Sequence, residues 1–169
     1  GGTSVATVEK IRKVAKTVKA ESVNYKIVVI LSAMAGVTNE LQSLINEVDF
    51  KAPKEADLIL TSGEQVTIGL LSMLLKKEGI KSVPLLGWQI PIVPDEHHEK
   101  GRILNINNEN LYKYFQSNDV IVLAGFQGIS TQGYITSLGR GGSDTTAVAI
   151  ASSIKAERCD IYTDVDGVY

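Results

Sequence analysis

Two glycine turns carry the residue types best suited to holding an anion. Gly1-Gly2-Thr3-Ser4 and Gly139-Arg140-Gly141-Gly142-Ser143-Asp144-Thr145-Thr146 each run directly into a helical pattern. A glycine turn feeding a helix presents free N–H groups and the positive end of the helix dipole. Ser, Thr and Asp also cap helices in ordinary turns, so either segment alone fits both an anion site and a plain cap. Arg140 tilts the second segment toward a site. Flanked by glycines, it has little local chain to pack on, and its planar fork suits a carboxylate or phosphate. Asp144, Asp164 and Asp166 are candidate acids, the last two just past an apolar run, where they fit a magnesium-nucleotide site or a solvated turn equally. Glu64 follows Ser62-Gly63 at a helix start, a place where the dipole alone favours a carboxylate. His97 and His98 have no Cys or His partner at metal spacing, so no residue set is assigned to a metal. Trp88 is read as a packing residue.

The elements that must position these residues alternate in type. Val5, Val8, Ile11, Val14 (with Ala15) and Val18 recur at helical spacing, with Thr3 or Ser4 as the expected cap. Strands are expected at 26–31, 83–86, 120–124 and 160–163. Helices are expected after residue 39, at 65–78 ended by Gly79, at 109–115 and at 145–154. Residues 87–101 read as a loop with a short strand, and 125–139 as a loop with a hairpin around Gln132-Gly133. Apolar strands between helices predict an α/β fold with a mainly parallel sheet covered on both faces. Ligands gather at the carboxyl ends of such strands. Here those ends carry Ser32 to Gly36, Gly87 to Gln89, Gly125 to Gly128 and Asp164 to Gly167.

The whole chain bounds the possibilities further. Its 169 residues can bury a sizeable core, and a net charge of −2 gives no basic surface for nucleic acid. Cys159 has no partner for an internal disulfide, which fits a reducing compartment. No apolar run reaches the ~20 residues expected of a bilayer span, so no membrane association is expected. There is no Walker A motif and no dinucleotide fingerprint. Unaided, the residues point to a nucleotide or phosphate enzyme.

GGTSVA at the start, VVILSAMAGVTNEL from Val28, TSGEQV from Thr61, LLGWQI from Leu85 and VLAGFQGI from Val122 stand in one order. SLGRGGSDTTAVAIA from Ser137 and CDIYTDVDGVY from Cys159 follow them. Together they resemble the aspartate kinases of the amino acid kinase superfamily. The resemblance implies a three-layer α/β/α sandwich around a mainly parallel sheet. It also implies transfer of the γ-phosphate of ATP to the β-carboxylate of L-aspartate, with Mg2+, in a cytoplasmic enzyme of amino-acid biosynthesis.

Site roles follow from the same resemblance. Gly1, Gly2 and Ser4 match the turn that holds ATP phosphates, and Ser32 and Thr38 match positions near phosphates and substrate. Glu64 matches the acid that receives the aspartate amino group. Arg140 matches the clamp on its α-carboxylate, with Ser143 beside it, and Gly141 and Gly142 match nucleotide-binding positions. Asp144 matches the acid that organises the site. Thr163, Asp164 and Tyr169 match nucleotide contacts, and Arg102 and Ile103 line the substrate cleft. The family has a Lys-Phe pair before the position of Gly1, further nucleotide-site residues after Tyr169, and paired ACT regulatory domains. Residues 1–169 are therefore expected to be part of one catalytic domain, cut at both ends, inactive alone and dimeric in the parent. The alternatives are another amino acid kinase, for acetylglutamate or glutamate, and a non-catalytic regulatory subunit of the same fold.

Overall fold

Five consecutive apolar residues, Val120–Ala124, form a strand in which every side chain is fully buried. It is the central member of a parallel three-stranded sheet in the computed structural model, which describes residues 1–95, 101–139 and 141–163. The strands in chain order are β1 (Ile27–Leu31), β2 (Ser82–Leu85), β3 (Ile92–Pro94), β4 (Ile103–Ile106), β5 (Val120–Ala124), β6 (Gln127–Ile129) and β7 (Ile135–Ser137). The helices are α1 (Val8–Glu21), α2 (Val37–Val48), α3 (Pro53–Leu60), α4 (Gly63–Lys77), α5 (Asn108–Phe115) and α6 (Gly142–Ser153).

Successive side chains of a strand point to opposite faces, so β5 feeds two cores. Val120, Val122 and Ala124 pack with Ile11, Ala15 and Val18 of α1 and with Ile68, Leu71 and Leu75 of α4. Ile121 and Leu123 pack with Leu85, Leu111 of α5 and Ile150 of α6. Each fully buried Val, Leu or Ile side chain contributes roughly 1.5–3 kcal/mol relative to exposure. The outcome is the expected layering, helices on both faces of a parallel sheet.

Register decides where the site can form. Leu31 pairs with Ala124 and Leu85 with Leu123, so β1, β5 and β2 end side by side. Ser32, Leu86 and Gly125 then leave the sheet along one edge, and the Gly125 N–H donates to the Leu31 carbonyl at 2.9 Å. Two antiparallel pairs lie outside the main sheet: β3 with β4, and β6 with β7. The second is the expected hairpin.

Several expectations are corrected. The cap of α1 is Thr7, whose hydroxyl accepts from the Lys10 N–H at 3.2 Å, because Thr3 and Ser4 are spent in a 3-10 turn over Gly2–Val5. Val8 is exposed at the first position of α1. Residues 160–163 make no strand pairing among the described residues. An apolar run becomes a strand only beside a hydrogen-bonding neighbour, and a cavity of about 870 Å3 is lined both by β1 and by residues 158–163. Trp88 is 45% exposed rather than packed. By length and composition alone, 53–77 is apolar enough to cross a membrane, which the sequence reading did not anticipate. Thr61 and Ser62 break that stretch into α3 and α4, and half of it is buried within the fold.

Candidate functional site

Glu64 stands at the second position of α4, beneath the turn that follows β1. Its side chain is buried, at 2% exposure. One carboxyl oxygen, Oε1, accepts from the Ala33 N–H at 3.0 Å. The other, Oε2, has no hydrogen-bond partner among the described residues. Burial pushes the carboxyl from its ordinary 4.5 up to about 7, a rise partly offset by the N–H groups of Ala33 and of Glu64 itself. The helix-start explanation does not account for this residue. A capping acid gains from the dipole while staying solvated, whereas Glu64 is held dry with one oxygen uncommitted.

The turn above it packs tightly. A Cβ added at Gly63 would fall 2.8 Å from the Ala33 Cβ, so only glycine lets α4 start so close under that turn. Gly2 lies against the same turn, near the Ala33 carbonyl and Ala35. The first glycine turn and the β1 turn are therefore neighbours.

The second glycine turn reaches the same place from β7. Gly141 caps α6 with φ 74°, a left-handed backbone that glycine takes without strain. Gly142 is buried against Phe126 and Leu138. Ser143 then meets Ser32, whose hydroxyl donates to the Ser143 Oγ at 2.9 Å. A Cβ at Gly125 would fall 2.7 Å from that same Oγ, so the close approach of α6 to the end of β5 depends on glycine there.

Two cavities open on this region. The first, of about 870 Å3, is lined by Gly1, Ser4, Ser32, Ser143, Asp144 and Thr163. The second, of about 890 Å3, is lined by Arg102, Ile103, Gly139, Asp144 and Thr145. Asp144, exposed in the first turn of α6, borders both. Thr38 lies in the first turn of α2 and lines neither. Arg140, Asp164, Asp166, Tyr169, His97 and His98 lie outside the described residues.

Sequence reasoning missed four residues of this region. Ala33 acts through its backbone N–H, which no side-chain motif reports. Asp57, Gln127 and Ser137 are buried polar residues near the site, at 0%, 2% and 1% exposure. Asp57 did leave a signal: an acid set among apolar residues in Ala56-Asp57-Leu58-Ile59-Leu60.

The family model of the amino acid kinases, "Amino acid kinase family", matches residues 1–169. The chain belongs to the amino acid kinase family. Among relatives of this family, an aspartokinase of Rickettsia felis is 49% identical over 174 residues, covering all of this chain and 43% of that protein. An aspartate kinase structure from Synechocystis superposes with a TM-score of 0.81 at 40% identity, covering 98% of this chain and 27% of that one. Aspartokinase III of E. coli, solved in complex with aspartate and ADP, superposes with a TM-score of 0.82 at 22% identity. That last likeness, over all of this chain and 49% of the other, is one of fold. This amino acid kinase chain thus spans about two fifths of the length of the curated relatives it matches.

Proposed function

We propose that the protein containing this chain is an aspartate kinase, moving the γ-phosphate of ATP to the β-carboxylate of L-aspartate. The observation that carries this reading is the Glu64 carboxyl, buried under the turn after β1 with one oxygen uncommitted. A buried acid of this kind is a receptor for a cation with several N–H donors, and an α-ammonium group answers that description. The 49% identity to an aspartokinase over the whole chain supports aspartate as the amino acid.

In this reading the α-ammonium group binds Glu64, and the α-carboxylate binds Arg140. Gly1, Gly2, Ser4 and Ser32 lie toward the ATP phosphates, with Thr163, Asp164 and Tyr169 toward the nucleotide. Two clamps on one small molecule leave its β-carboxylate a single direction, which is how positioning accelerates a bimolecular step. An attacking β-carboxylate oxygen forms a bond to the γ-phosphorus. The bond from that phosphorus to the bridging oxygen breaks, and ADP leaves with its electron pair. The nucleophile is already ionised at neutral pH, with an ordinary pKa of about 3.9, so no general base is needed. The barrier is the approach of one anion to another, and oriented N–H groups and cations lower it.

Among the described residues no group of three or more His, Cys, Asp or Glu could hold a metal by itself. Asp144 is a single carboxylate bordering both cavities, and Mg2+ commonly takes one or two carboxylates beside phosphate oxygens. Asp144 would hold the ion, and the ion when bound would neutralise phosphate charge.

Turnover by the full-length protein with ATP, Mg2+ and L-aspartate tests the proposal, the acyl phosphate being trapped with hydroxylamine. An aspartate-dependent hydroxamate that disappears in Arg140→Ala is expected. No such product from a folded, ATP-binding protein sinks the reading.

A further inference from the structure

Below the site lies a buried polar cluster that the phosphate chemistry does not use. Asp57, Thr61, Gln127 and Ser137 are 0%, 1%, 2% and 1% exposed. The Ser137 hydroxyl donates to Asp57 Oδ1. The Thr61 hydroxyl donates to the Asp57 carbonyl at 2.8 Å, and the Gln127 side-chain amide donates to the Thr61 carbonyl at 3.1 Å. Gln127 and Ser137 are themselves paired in the β6–β7 ladder. One cluster thus ties the junction between α3 and α4 to both strands of the hairpin.

The positions of these residues in the chain are what matter. Thr61 precedes Glu64 by three residues. Ser137 precedes the glycine loop at 139–142 by two, and Leu138 between them is held by its N–H to the Phe126 carbonyl at 2.8 Å. The two arms meet again above. Ala33 donates to Glu64 on one arm, and the adjacent Ser32 donates to Ser143 on the other. The two arms are therefore joined twice, through Ala33 and Ser32 of the turn after β1 and through the buried cluster that forms their floor.

We propose that Asp57, Gln127 and Ser137 are positioning residues that set the span between Glu64 and the loop after β7, and so the fit of the enzyme to its amino-acid substrate. This rests on the reading of the site as an aspartate clamp. A rigid floor matters because Glu64 belongs to α4 and the glycine loop follows β7, and a displacement of about 1 Å between two such elements can cost up to a hundredfold. Buried polar groups suit the task, since a satisfied network has one geometry and a broken one is costly.

The test uses the full-length enzyme with Ser137→Ala and, as a near-isosteric second variant, Gln127→Glu. Ser137→Thr keeps the hydroxyl. Both disruptive variants should raise KM for aspartate by about ten- to a hundredfold, leaving KM for ATP within about twofold, and Ser137→Thr should restore most of the loss. Unchanged KM for aspartate in both variants overturns the proposal. A fall in kcat and thermal stability with both KM values unchanged also overturns it, because that is the mark of a scaffold residue. If the wild-type enzyme shows no aspartate-dependent turnover, the clamp reading fails by itself. The floor is then judged on the Glu64 carboxyl band in infrared difference spectra, identified by its loss in Glu64→Gln. A titration of that band that moves in Ser137→Ala keeps the positioning role, and one that stays unchanged ends it.

Discussion

Glu64 and Asp144 look alike in the sequence and differ in the fold. Both follow a glycine, or lie two residues beyond one, in the first turn of a helix, and both gain from the helix dipole. Glu64 is buried to 2% exposure under the β1 turn, with one oxygen uncommitted. Asp144 is exposed and faces two cavities. The difference comes from what lies over each helix start. Gly63 lets α4 tuck beneath Ala33, so its acid is desolvated. Gly142 lets α6 pack on Phe126 and Leu138 one residue earlier, which leaves Asp144 on the open side. Burial brings the proton equilibrium of one acid near neutral pH, and exposure leaves the other where solvent can reach it.

The comparison can be broken most decisively at Asp144. If this residue organises charge for phosphate transfer, Asp144→Asn in the full-length enzyme should lower kcat by about a hundred- to a thousandfold. Its effect on KM for aspartate should be small, and steady-state kinetics with each substrate varied reads both. Glu64→Gln should do the opposite, raising KM for aspartate by about a hundredfold with a lesser change in kcat, because the loss falls on a buried charge contact. A pair of variants with the same kinetic signature would erase the distinction.

Protonation sharpens it. With a pKa of about 7, Glu64 is mostly protonated at pH 6 and mostly ionised at pH 8. An ammonium group binds the ionised form. KM for aspartate should therefore fall by about tenfold as pH rises from 6 to 8 and level off above it. Calorimetry at pH 6.5 in buffers of different ionisation enthalpy should detect proton release on aspartate binding. Neither effect should survive in Glu64→Gln, and both should survive in Asp144→Asn.

The same burial carries a cost in stability whose sign is opposite to that of a paired acid. A carboxyl raised from 4.5 to about 7 binds more protons folded than unfolded between those values, so stability falls as pH climbs through that window. Above it, Glu64→Gln should be more stable than wild type by on the order of 3 kcal/mol, and below pH 4.5 the advantage should vanish. Thermal melts of both proteins at pH 4 and pH 8 check this. The smallest expected effect is at the rim. Ser143→Ala removes the partly buried contact to Ser32 and should cost about 1 kcal/mol or less, read as a small fall in melting temperature.

Much of the scaffold was legible because apolar runs and helical periods report burial directly. The strands at 27–31 and 120–124, the helix ended by Gly79 and the hairpin before residue 139 all stand where the pattern put them. Other features escaped the pattern for identifiable reasons. The α3 helix is short and starts on Pro53, β4 pairs only because β3 lies beside it, and Thr7 rather than Ser4 caps α1. Of the site, the glycine turns and the acids were visible as types, but their mutual distances were not. The buried polar cluster was invisible, since Asp57 lies 70 residues from Gln127 and 80 from Ser137 and only packing brings them together.

By itself the sequence determined the layered α/β architecture and the residue types at the strand ends, because periodicity and glycine placement are local properties of the chain. Tertiary structure alone decided that two similar apolar strands have different fates. The β5 strand, flanked by neighbours on both edges, is buried throughout, while β1, with one sheet neighbour among the described residues, is only partly buried until Leu31. It also decided that Glu64 is dry and Asp144 wet. Burial depends on what other segments lie across a residue, and that is a property of the assembled molecule rather than of any stretch of its chain.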